Sequence, residues 1–367
     1  MNQLSLDLSS SESINSVNSL TGLKPPFDLA ALECYLEKHV IGFEGPLSVN
    51  RFKGGQSNPT YMLITPLRQY VMRTKPGPSK QLLPTAHAIE REFFVQSALE
   101  NSAVPVAKMV CLCEDESVIG RVFYVMDFIE GRIFWEQSLP QLEPDDRAAI
   151  YRELNRVIAE LHKVDIKAHG LENYGKAGNY FVRQIDRWTR QYRASEIGVI
   201  EAMEKLIDWL PQHIPHESES RLTLVHGDYR IDNLIFHPTE PRVMAVIDWE
   251  LSTLGHPLAD FAYHLLSWHL TPEFARGLAG LDFQAMGIPD EKTYIGAYEK
   301  SVGYPIKPEW NFYLAYNLFR LAAILQGISK RVENGTASSA QAQENGKMAS
   351  AFAELGWSFA LKMEHGN

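Results

Sequence analysis

The sequence predicts an α+β protein with two unequal lobes: a small N-lobe built on an antiparallel sheet and a larger, mainly helical C-lobe. Short runs typical of β-strands crowd residues 47–129, whereas helical periodicity dominates after Phe128. With 367 residues, the chain is long enough for two lobes with a substantial core. We divide it into a flexible N-terminal tail at 1–22, an N-lobe at 23–127 and a C-lobe at 128–367.

The predicted N-lobe consists of five short strands and one helix. Apolar runs rich in β-branched and aromatic residues, separated by turn-forming residues, are typical of strands. They lie at 47–52, 61–64, 70–72, 109–112 and 122–126. Between the third and fourth runs, Ile89, Phe93 and Leu99 stand at helical spacing, which predicts a helix over 85–99.

The predicted C-lobe begins with a helix at Pro144, whose first turn carries two acids that the helix dipole favours. Apolar residues then trace one face as far as Leu161. Further helices are predicted at 180–193, 197–210, 256–270, 294–301, 310–330 and 340–361. Short strands interrupt them at 222–225, 233–236 and 243–247. A cleft between two such lobes is a natural place for a small ligand.

The composition argues against several classes of function. The chain has 35 Lys and Arg residues against 45 Asp and Glu, a formal net charge of −10, whereas nucleic-acid-binding proteins usually carry a basic patch. No run approaches the roughly 20 apolar residues that span a bilayer. The Ser-rich start lacks the regions of a signal peptide, and three cysteines fit a reducing compartment. We expect a cytoplasmic protein without a nucleic-acid or membrane partner; its oligomeric state stays open.

The strongest chemical signal is the run His226-Gly227-Asp228-Tyr229-Arg230-Ile231-Asp232-Asn233, followed by Asp248 after an apolar strand. Phosphoryl transfer needs a base that orients the attacking hydroxyl, and oxygen ligands that hold Mg²⁺ against the phosphates. Asp228 is the candidate base, and Asn233 and Asp248 are the candidate metal ligands. A polar turn between two strands, the alternative, does not explain three such residues each beside an apolar run.

Two other residues of this run receive different roles. Arg230 stands two positions after the candidate base and can neutralise charge on the moving phosphoryl group, so we assign it as catalytic together with Asp228. His226 is expected to brace the loop rather than to carry a proton.

The N-lobe is expected to bind the nucleotide, ATP or GTP. A turn comes after its first strand, and its glycines would let backbone N–H groups approach a phosphate. The assigned residues of this turn are Gly54, Gly55, Gln56, Ser57 and Asn58. Turns of this composition are also common as hairpin loops, so the assignment depends on the residues of the next strand and helix.

Arg73 lies at the end of the next strand and is the expected cation for the nucleotide phosphates. An acid on the following helix positions such a cation in kinases; Glu92 is the preferred partner and Glu90 the alternative. A surface ion pair of little consequence is the other interpretation. At the end of the N-lobe, backbone groups of Asp127, Phe128 and Ile129 are expected to meet the adenine edge, unless these residues are plain core.

These motifs resemble the aminoglycoside phosphotransferase-like kinase family, the phosphotransferase enzyme family. The resemblance rests on the 226–233 run, on Asp248, on the Gly54-Gly55 turn and on the order of the lobes. It implies a bilobal protein-kinase-like fold and an ATP-dependent small-molecule kinase that uses Mg²⁺.

One branch is more similar still, the N-terminal kinase domain of acyl-CoA dehydrogenase family members 10 and 11. The shared motifs are Gly54-Gly55-Gln56-Ser57-Asn58-Pro59-Thr60, Leu82-Leu83-Pro84-Thr85-Ala86-His87, Phe123-Tyr124-Val125-Met126, Gly131-Arg132 and the run from Asp248 to Pro257. This likeness implies a hydroxyacyl-CoA or related hydroxy acid as the acceptor.

The resemblance assigns Asp228 as the base, Asn233 and Asp248 as metal ligands and Glu92 as the helix acid. Arg73 departs from many kinases, which place lysine there, and so offers a fork instead of a point donor. Trp249-Glu250 replaces the Phe-Gly of protein kinases and removes a Gly-based flip of that segment. Asp260 is expected to anchor the loop.

The acceptor, a small-molecule hydroxyl, is expected in the helical lobe facing Asp228. Arg183, Trp188 and Glu250 are the assigned acceptor-binding residues, although a basic helix face is more often merely solvated. A hydroxyacyl-type kinase is the first hypothesis. A kinase for an aminoglycoside or amino-alcohol, and a catalytically inactive nucleotide-binding module, are the alternatives.

Overall fold

The structure is a computed structural model of the chain. It describes residues 20–21, 25–52, 58–77, 88–176, 178, 180–216, 221–272, 274, 277–306, 309–333 and 340–365. The tail predicted at 1–22 therefore lies almost entirely outside the described residues, as do the 82–87 motif and the turn residues Gly54, Gly55, Gln56 and Ser57. The boundaries predicted for the two lobes stay predictions.

The N-lobe sheet is antiparallel throughout, with the strand order β1-β2-β3-β4-β6-β5. Its strands are β1 (Leu20–Thr21), β2 (Ser48–Phe52), β3 (Thr60–Ile64), β4 (Gln69–Thr74), β5 (Met109–Cys113) and β6 (Phe123–Asp127). Two helices accompany it, α1 (Leu29–His39) and α2 (Ile89–Leu99). Asp28 caps α1 by accepting hydrogen bonds from the N–H groups of Ala30 and Ala31.

The two faces of this sheet pack on different helices because side chains alternate along a strand. Tyr70 and Met72 of β4 share a buried cluster with Leu32 and Leu36 of α1, so Arg73 points to the opposite face. There it stands beside its cross-strand partner Tyr124 on β6. Tyr124 packs in a second cluster with Ile89 of α2, so strand alternation delivers Arg73 to the side of the sheet that faces α2.

The C-lobe is built from helices around two short antiparallel strand pairs. The helices are α3 (Pro144–His162), α4 (Tyr180–Ala194), α5 (Glu201–Trp209), α6 (Pro257–Leu265), α7 (Phe283–Met286), α8 (Glu291–Val302), α9 (Trp310–Glu333) and α10 (Ala340–His365). The strands are β7 (Thr223–Val225), β8 (Leu234–Phe236), β9 (Val243–Val246) and β10 (Thr253–Gly255), with β7 paired to β10 and β8 to β9.

The predicted apolar face of α3 is buried in the C-lobe core. Its residues Ile150, Leu154, Val157, Ile158 and Leu161 are each at most 1% exposed. Full burial of such a side chain stabilises the fold by roughly 1.5–3 kcal/mol. Within the described part of the chain, no helix is both long and apolar enough to cross a membrane.

The structure confirms the predicted fold class, with an antiparallel N-lobe sheet and a helical C-lobe. Several details differ from the expectations: the helices α1 and α7 and the short strand β1 were not predicted. β10 was not predicted, because three residues are too short to show a period and their partner β7 lies about thirty residues away. The helix predicted at 256–270 ends at Leu265 and continues as a 3₁₀ turn. The helix predicted at 197–210 begins only at Glu201.

Candidate active site

The loop that comes after β7 is held from both sides by long-range hydrogen bonds. Asp260 on α6 accepts the backbone N–H groups of His226 at 2.7 Å and Gly227 at 2.8 Å. Arg320 on α9 donates to the carbonyl of Gly227 at 2.7 Å. Gly227 has φ of +81°, and a Cβ there would stand 2.7 Å from the Leu251 carbonyl oxygen, so only glycine fits. The structure thus confirms Asp260 as the anchor of the loop.

His226 braces the same loop with both ring nitrogens. Its Nδ1 accepts the N–H of Asp228 at 3.2 Å, and its Nε2 lies 2.9 Å from the carbonyl oxygen of Ile247. A nitrogen that accepts from an amide cannot also carry a proton, so these partners assign the neutral ring with the proton on Nε2. The ring therefore ties the loop to the end of β9, in agreement with the expectation from the sequence.

Asp228 is buried, and both carboxylate oxygens accept hydrogen bonds. The Tyr263 hydroxyl on α6 donates to Oδ1 at 2.5 Å, and Nδ2 of Asn233 donates to Oδ2 at 3.1 Å. Burial raises the pKa of Asp228 above its ordinary value, while the charge of Arg230 and the hydrogen bond from Tyr263 act against that rise. A fixed carboxylate with increased basicity is what a base for a hydroxyl requires.

Arg230 lies beside Asp228 and is held by a second acid. Its Nη2 is 2.5 Å from Oδ2 of Asp232, and its Nε is 3.7 Å from Oδ1 of Asp228. The side chain is a quarter exposed. Asp232 holds the Arg230 guanidinium next to Asp228, and the guanidinium can also donate hydrogen bonds to an anion such as a phosphate that enters the site.

Asn233 and Asp248 present oxygen atoms close to the candidate base. Nδ2 of Asn233 also donates to the backbone carbonyl of Asp228 at 2.8 Å, so its amide oxygen is the atom left for a cation. Asp248 has the left-handed backbone conformation, with φ of +65°, which is uncommon for a residue with a side chain and is typical of functional sites. Its side chain remains 35% exposed.

Arg73 joins the two lobes through its forked guanidinium. Nη1 lies 3.2 Å from Oε2 of Glu92 on α2, and Nη2 lies 2.9 Å from Oδ1 of Asp248 in the C-lobe. Burial acts to lower the pKa of Arg73, but the carboxylates of Glu92 and Asp248 more than offset it, so the pKa is raised. The charged guanidinium therefore bridges the helix acid and a candidate metal ligand.

Glu92, rather than Glu90, is the partner of Arg73, because Glu90 pairs with Lys75. Asn58 and the Tyr124 hydroxyl each donate to the Glu92 carboxylate at 3.1 Å. Burial raises the pKa of Glu92 to about 7, and the charge of Arg73 opposes this rise. Three donors favour the ionised carboxylate, which we take as the state that pairs with Arg73.

The other residues expected at the nucleotide site are Asn58, through its side chain, and the segment 127–129, through its backbone. Asn58 is fully buried and its side-chain nitrogen donates to Glu92; its role in nucleotide binding stays a prediction. The N–H groups of Asp127 and Phe128 donate to the carbonyls of Lys108 and Gln69. Among the described residues none accepts the N–H of Ile129, so that group is available to an adenine edge.

Trp249 anchors the segment after Asp248. It is 1% exposed, stands 5.0 Å from the His226 ring, and donates from Nε1 to the Val246 carbonyl at 2.9 Å. A buried indole with a satisfied N–H resists displacement, which supports the expectation that this segment does not flip.

The three residues assigned to the acceptor have different surroundings. Oε2 of Glu250 lies 3.7 Å from Nη2 of Arg73. Arg183 donates to the carbonyl of Lys176 at 2.7 Å. Trp188 is buried, with the Arg320 guanidinium 5.6 Å from its ring. Their roles in acceptor binding stay predictions.

Sequence reasoning missed Tyr263 and Arg320, although each leaves a signal. Tyr263 stands three residues after the anchor Asp260, which puts both on the same face of α6. Arg320 is the one charged residue in the run from Asn311 to Gln326 of α9. A single charged residue in an otherwise apolar helix run indicates a specific structural or functional contact, because charged side chains are rarely buried without a partner.

The family comparison agrees with this geometry. Residues 48–291 match the profile of the phosphotransferase enzyme family. Acyl-CoA dehydrogenase family member 10 of Mus musculus is 50% identical over 336 residues, 90% of this chain and 31% of that protein. Acyl-CoA dehydrogenase family member 11 of Homo sapiens is 42% identical over 318 residues, 85% of this chain and 40% of that protein. The chain thus spans a third to two fifths of these relatives.

Solved structures show the same fold. A protein of Ralstonia eutropha JMP134, provisionally assigned as an aminoglycoside phosphotransferase, is 60% identical, with a TM-score of 0.86 over 92% of this chain and 99% of its own. The aminoglycoside phosphotransferase APH(4)-Ia, in a ternary complex with ADP and hygromycin B, has a TM-score of 0.58 at 14% identity, over 89% of this chain and 97% of its own.

Proposed function

Since the chain belongs to the phosphotransferase enzyme family, we propose that it transfers the γ-phosphoryl group of ATP or GTP to the hydroxyl of a hydroxyacyl-CoA or a related hydroxy acid. The observation that carries the catalytic part of the proposal is Asp228. It is a buried carboxylate that accepts hydrogen bonds from Tyr263 and Asn233, and Asn233 is a candidate metal ligand on the same loop. The acyl part is supported by the two acyl-CoA dehydrogenase family members to which the chain is similar.

In the proposed reaction, Asp228 orients the acceptor hydroxyl and takes its proton. The hydroxyl oxygen forms a bond to the γ-phosphorus as the bond to the β–γ bridging oxygen breaks, and the nucleoside diphosphate leaves. The proton goes to a carboxylate oxygen of Asp228, whose basicity burial has raised. The fixed geometry supplies the orientation on which such a transfer depends.

Asn233 and Asp248 fit Mg²⁺, which prefers oxygen ligands and keeps waters and substrate phosphates among them. The amide oxygen of Asn233 is left for a cation, because its nitrogen is engaged with Asp228. When bound, Mg²⁺ would neutralise charge on the β- and γ-phosphates. The chain's own contribution is the hydrogen bond that ties this ligand to the base.

The cations of the site fit the phosphates. Arg73 is held between Glu92 and Asp248, where its fork can bind two phosphate oxygens. Arg230 stands beside Asp228 and can stabilise charge on the phosphoryl group in transfer.

Phosphorylation of an aminoglycoside is the second candidate, because APH(4)-Ia, which has the same fold, was solved with hygromycin B. The identity of 14% limits that likeness to the fold, and fold does not fix the substrate. An amino-alcohol acceptor belongs with this candidate. An inactive nucleotide-binding module is the third candidate, and the complete set of Asp228, Asn233 and Asp248 argues against it.

A nucleotide-consumption screen tests the proposal. The panel contains hydroxyacyl-CoAs, free hydroxy acids, aminoglycosides and choline-like alcohols, each with ATP and with GTP, and Asp228→Asn protein serves as the blank. We expect acceptor-dependent release of nucleoside diphosphate with the acyl compounds. A response to the antibiotics alone would overturn the proposed acceptor, and no response to any compound would favour the inactive module.

A further inference from the structure

Arg320 is a buried cation that forms no ion pair with a carboxylate of the described residues. It lies on α9, is 8% exposed, and its one hydrogen bond to a described residue is the 2.7 Å contact with the carbonyl oxygen of Gly227. A guanidinium has five N–H donors. No carboxylate of the described chain forms an ion pair with Arg320, whereas buried charges are normally paired.

A second arginine, Arg187, is exposed and lies against the same indole ring as the buried Arg320. The Arg187 guanidinium lies 5.0 Å from the Trp188 ring, and that of Arg320 lies 5.6 Å from the same ring. Burial lowers the pKa of Arg187, and the positive charge of Arg320 lowers it further. Arg187 also has no ion pair with a described carboxylate. Two like charges lie against one indole ring, and neither forms an ion pair with a described carboxylate. They make a local positive site in a chain of net charge −10.

This positive site adjoins the candidate base. The Arg320 guanidinium stands 5.2 Å from the centre of the Tyr263 ring, and the hydroxyl of that tyrosine donates to Asp228 at 2.5 Å. One tyrosine side chain therefore separates the cation from the carboxylate that would activate the hydroxyl. Both α4 and α9 belong to the helical lobe and pack against each other.

We propose that Arg320, with Arg187 beside it, binds an oxyanion of the acceptor. The acceptor is then an anion, and a polycationic antibiotic is disfavoured at this place because like charges repel. This inference rests on the proposed function, which places the acceptor hydroxyl at Asp228. The oxyanion has two chemical sources, the carboxylate of a free hydroxy acid or the phosphates of its CoA thioester.

Three acceptors with the same hydroxyacyl group separate these sources. The free hydroxy acid carries a carboxylate, the CoA thioester carries phosphates, and the pantetheine thioester carries neither. Arg320→Gln keeps a donor for the Gly227 carbonyl and removes the charge. We expect the kcat/KM ratio of an anionic acceptor to the pantetheine thioester to fall about 10- to 100-fold in this variant, the range for hydrogen bonds to charged groups.

The ratio that falls identifies the source of the oxyanion. A lower ratio for the free hydroxy acid indicates its carboxylate, and a lower ratio for the CoA thioester indicates its phosphates. Arg320→Lys should recover part of the lost ratio, and Arg187→Gln should lower it less. Arg190→Gln is the matched control, because Arg190 lies one turn further along α4, is 73% exposed and pairs with Asp186. An equal loss on all three acceptors would show that Arg320 only braces Gly227, and unchanged ratios would equally overturn the inference.

Binding measurements separate this inference from the proposed reaction. Calorimetric titration of the nucleotide-saturated protein with the same three compounds does not require turnover. If the wild-type protein transfers phosphate to none of them, the proposed function fails. The subsite then stands only if an anionic compound binds the wild-type protein at least tenfold more tightly than the Arg320→Gln variant. Transfer to cationic acceptors alone would overturn the subsite and leave phosphoryl transfer in place.

Discussion

Replacing Asp228 by asparagine changes the charge of the candidate base and almost nothing of its shape. An asparagine can keep both contacts, since its oxygen can accept from Asn233 while its nitrogen donates to the Tyr263 oxygen. The amide cannot take a proton from the acceptor hydroxyl. Loss of a general base costs about 10²- to 10⁴-fold in kcat, which corresponds to about 3–5 kcal/mol of activation free energy.

The stability of this variant should move in the opposite direction. Burial raises the pKa of Asp228, which means that the ionised carboxylate is less favourable in the folded protein than in the unfolded chain. The neutral Asp228→Asn protein should therefore melt at the same temperature as the wild type or above it. Such a pattern, with activity lost and stability kept, distinguishes a functional carboxylate from one that holds the fold together.

The assay measures release of nucleoside diphosphate at saturating nucleotide, with the best acceptor from the screen. Nucleotide binding and thermal melting are measured on the same protein samples. Asp290→Asn is the control, because Asp290 caps α8 through the Thr293 N–H and asparagine caps equally well. A kcat within threefold of wild type, with unchanged nucleotide binding, would refute the assignment of the base.

Three further predictions concern the supports of the site. Arg73→Lys should raise the nucleotide KM about tenfold, since a point donor cannot reach both Glu92 and Asp248; an unchanged KM would contradict its phosphate role. Tyr263→Phe should lower kcat about tenfold and leave the nucleotide KM unchanged, because the base loses the donor that orients it; equal changes in both constants would indicate a merely structural role. Burial lowers the pKa of His256 from 6.5 to about 3, so the unfolded chain binds the proton more readily than the folded protein. The contribution of the neutral His256 ring to the free energy of unfolding is fully present above pH 6.5 and is lost as the pH falls towards 3. His256→Asn keeps an acceptor for the α6 N-terminus and should reduce the loss of unfolding free energy between pH 7.5 and pH 5 by up to about 2 kcal/mol. An identical pH dependence in urea unfolding would contradict it.

The sequence was sufficient for features that depend on neighbouring residues. Asp228 and Asn233 stand five positions apart on one loop, so their chemistry could be recognised without the fold. The apolar periods of α3 and the short strands of the N-lobe likewise predicted the two-lobed α+β class, because period and turn chemistry are local properties. Arg73 could be proposed as a cation at the end of a strand for the same reason.

The choice between partners needed the tertiary structure. Glu90 and Glu92 lie two positions apart on one helix, and the sequence does not specify the absolute rotation of that helix. In the fold, Glu92 lies on the buried face with Ile89 and Gln96, and so it meets Arg73, while Glu90 meets Lys75. For Asn58, the turn predicts a nucleotide contact, and only the fold shows that its side chain is buried and donates to Glu92.

The residues around Asp228 also fall into two groups, those that the sequence identified and those that only the tertiary structure showed. By itself, the sequence determined the fold class, the reactive loop and the kind of chemistry that the loop supports. Only the tertiary structure decided that the Tyr263 hydroxyl would donate to the candidate base. It also placed Arg320, 93 positions after Gly227, in contact with that loop. Contacts between distant segments depend on how helices pack in three dimensions, and no local pattern of residues specifies that packing.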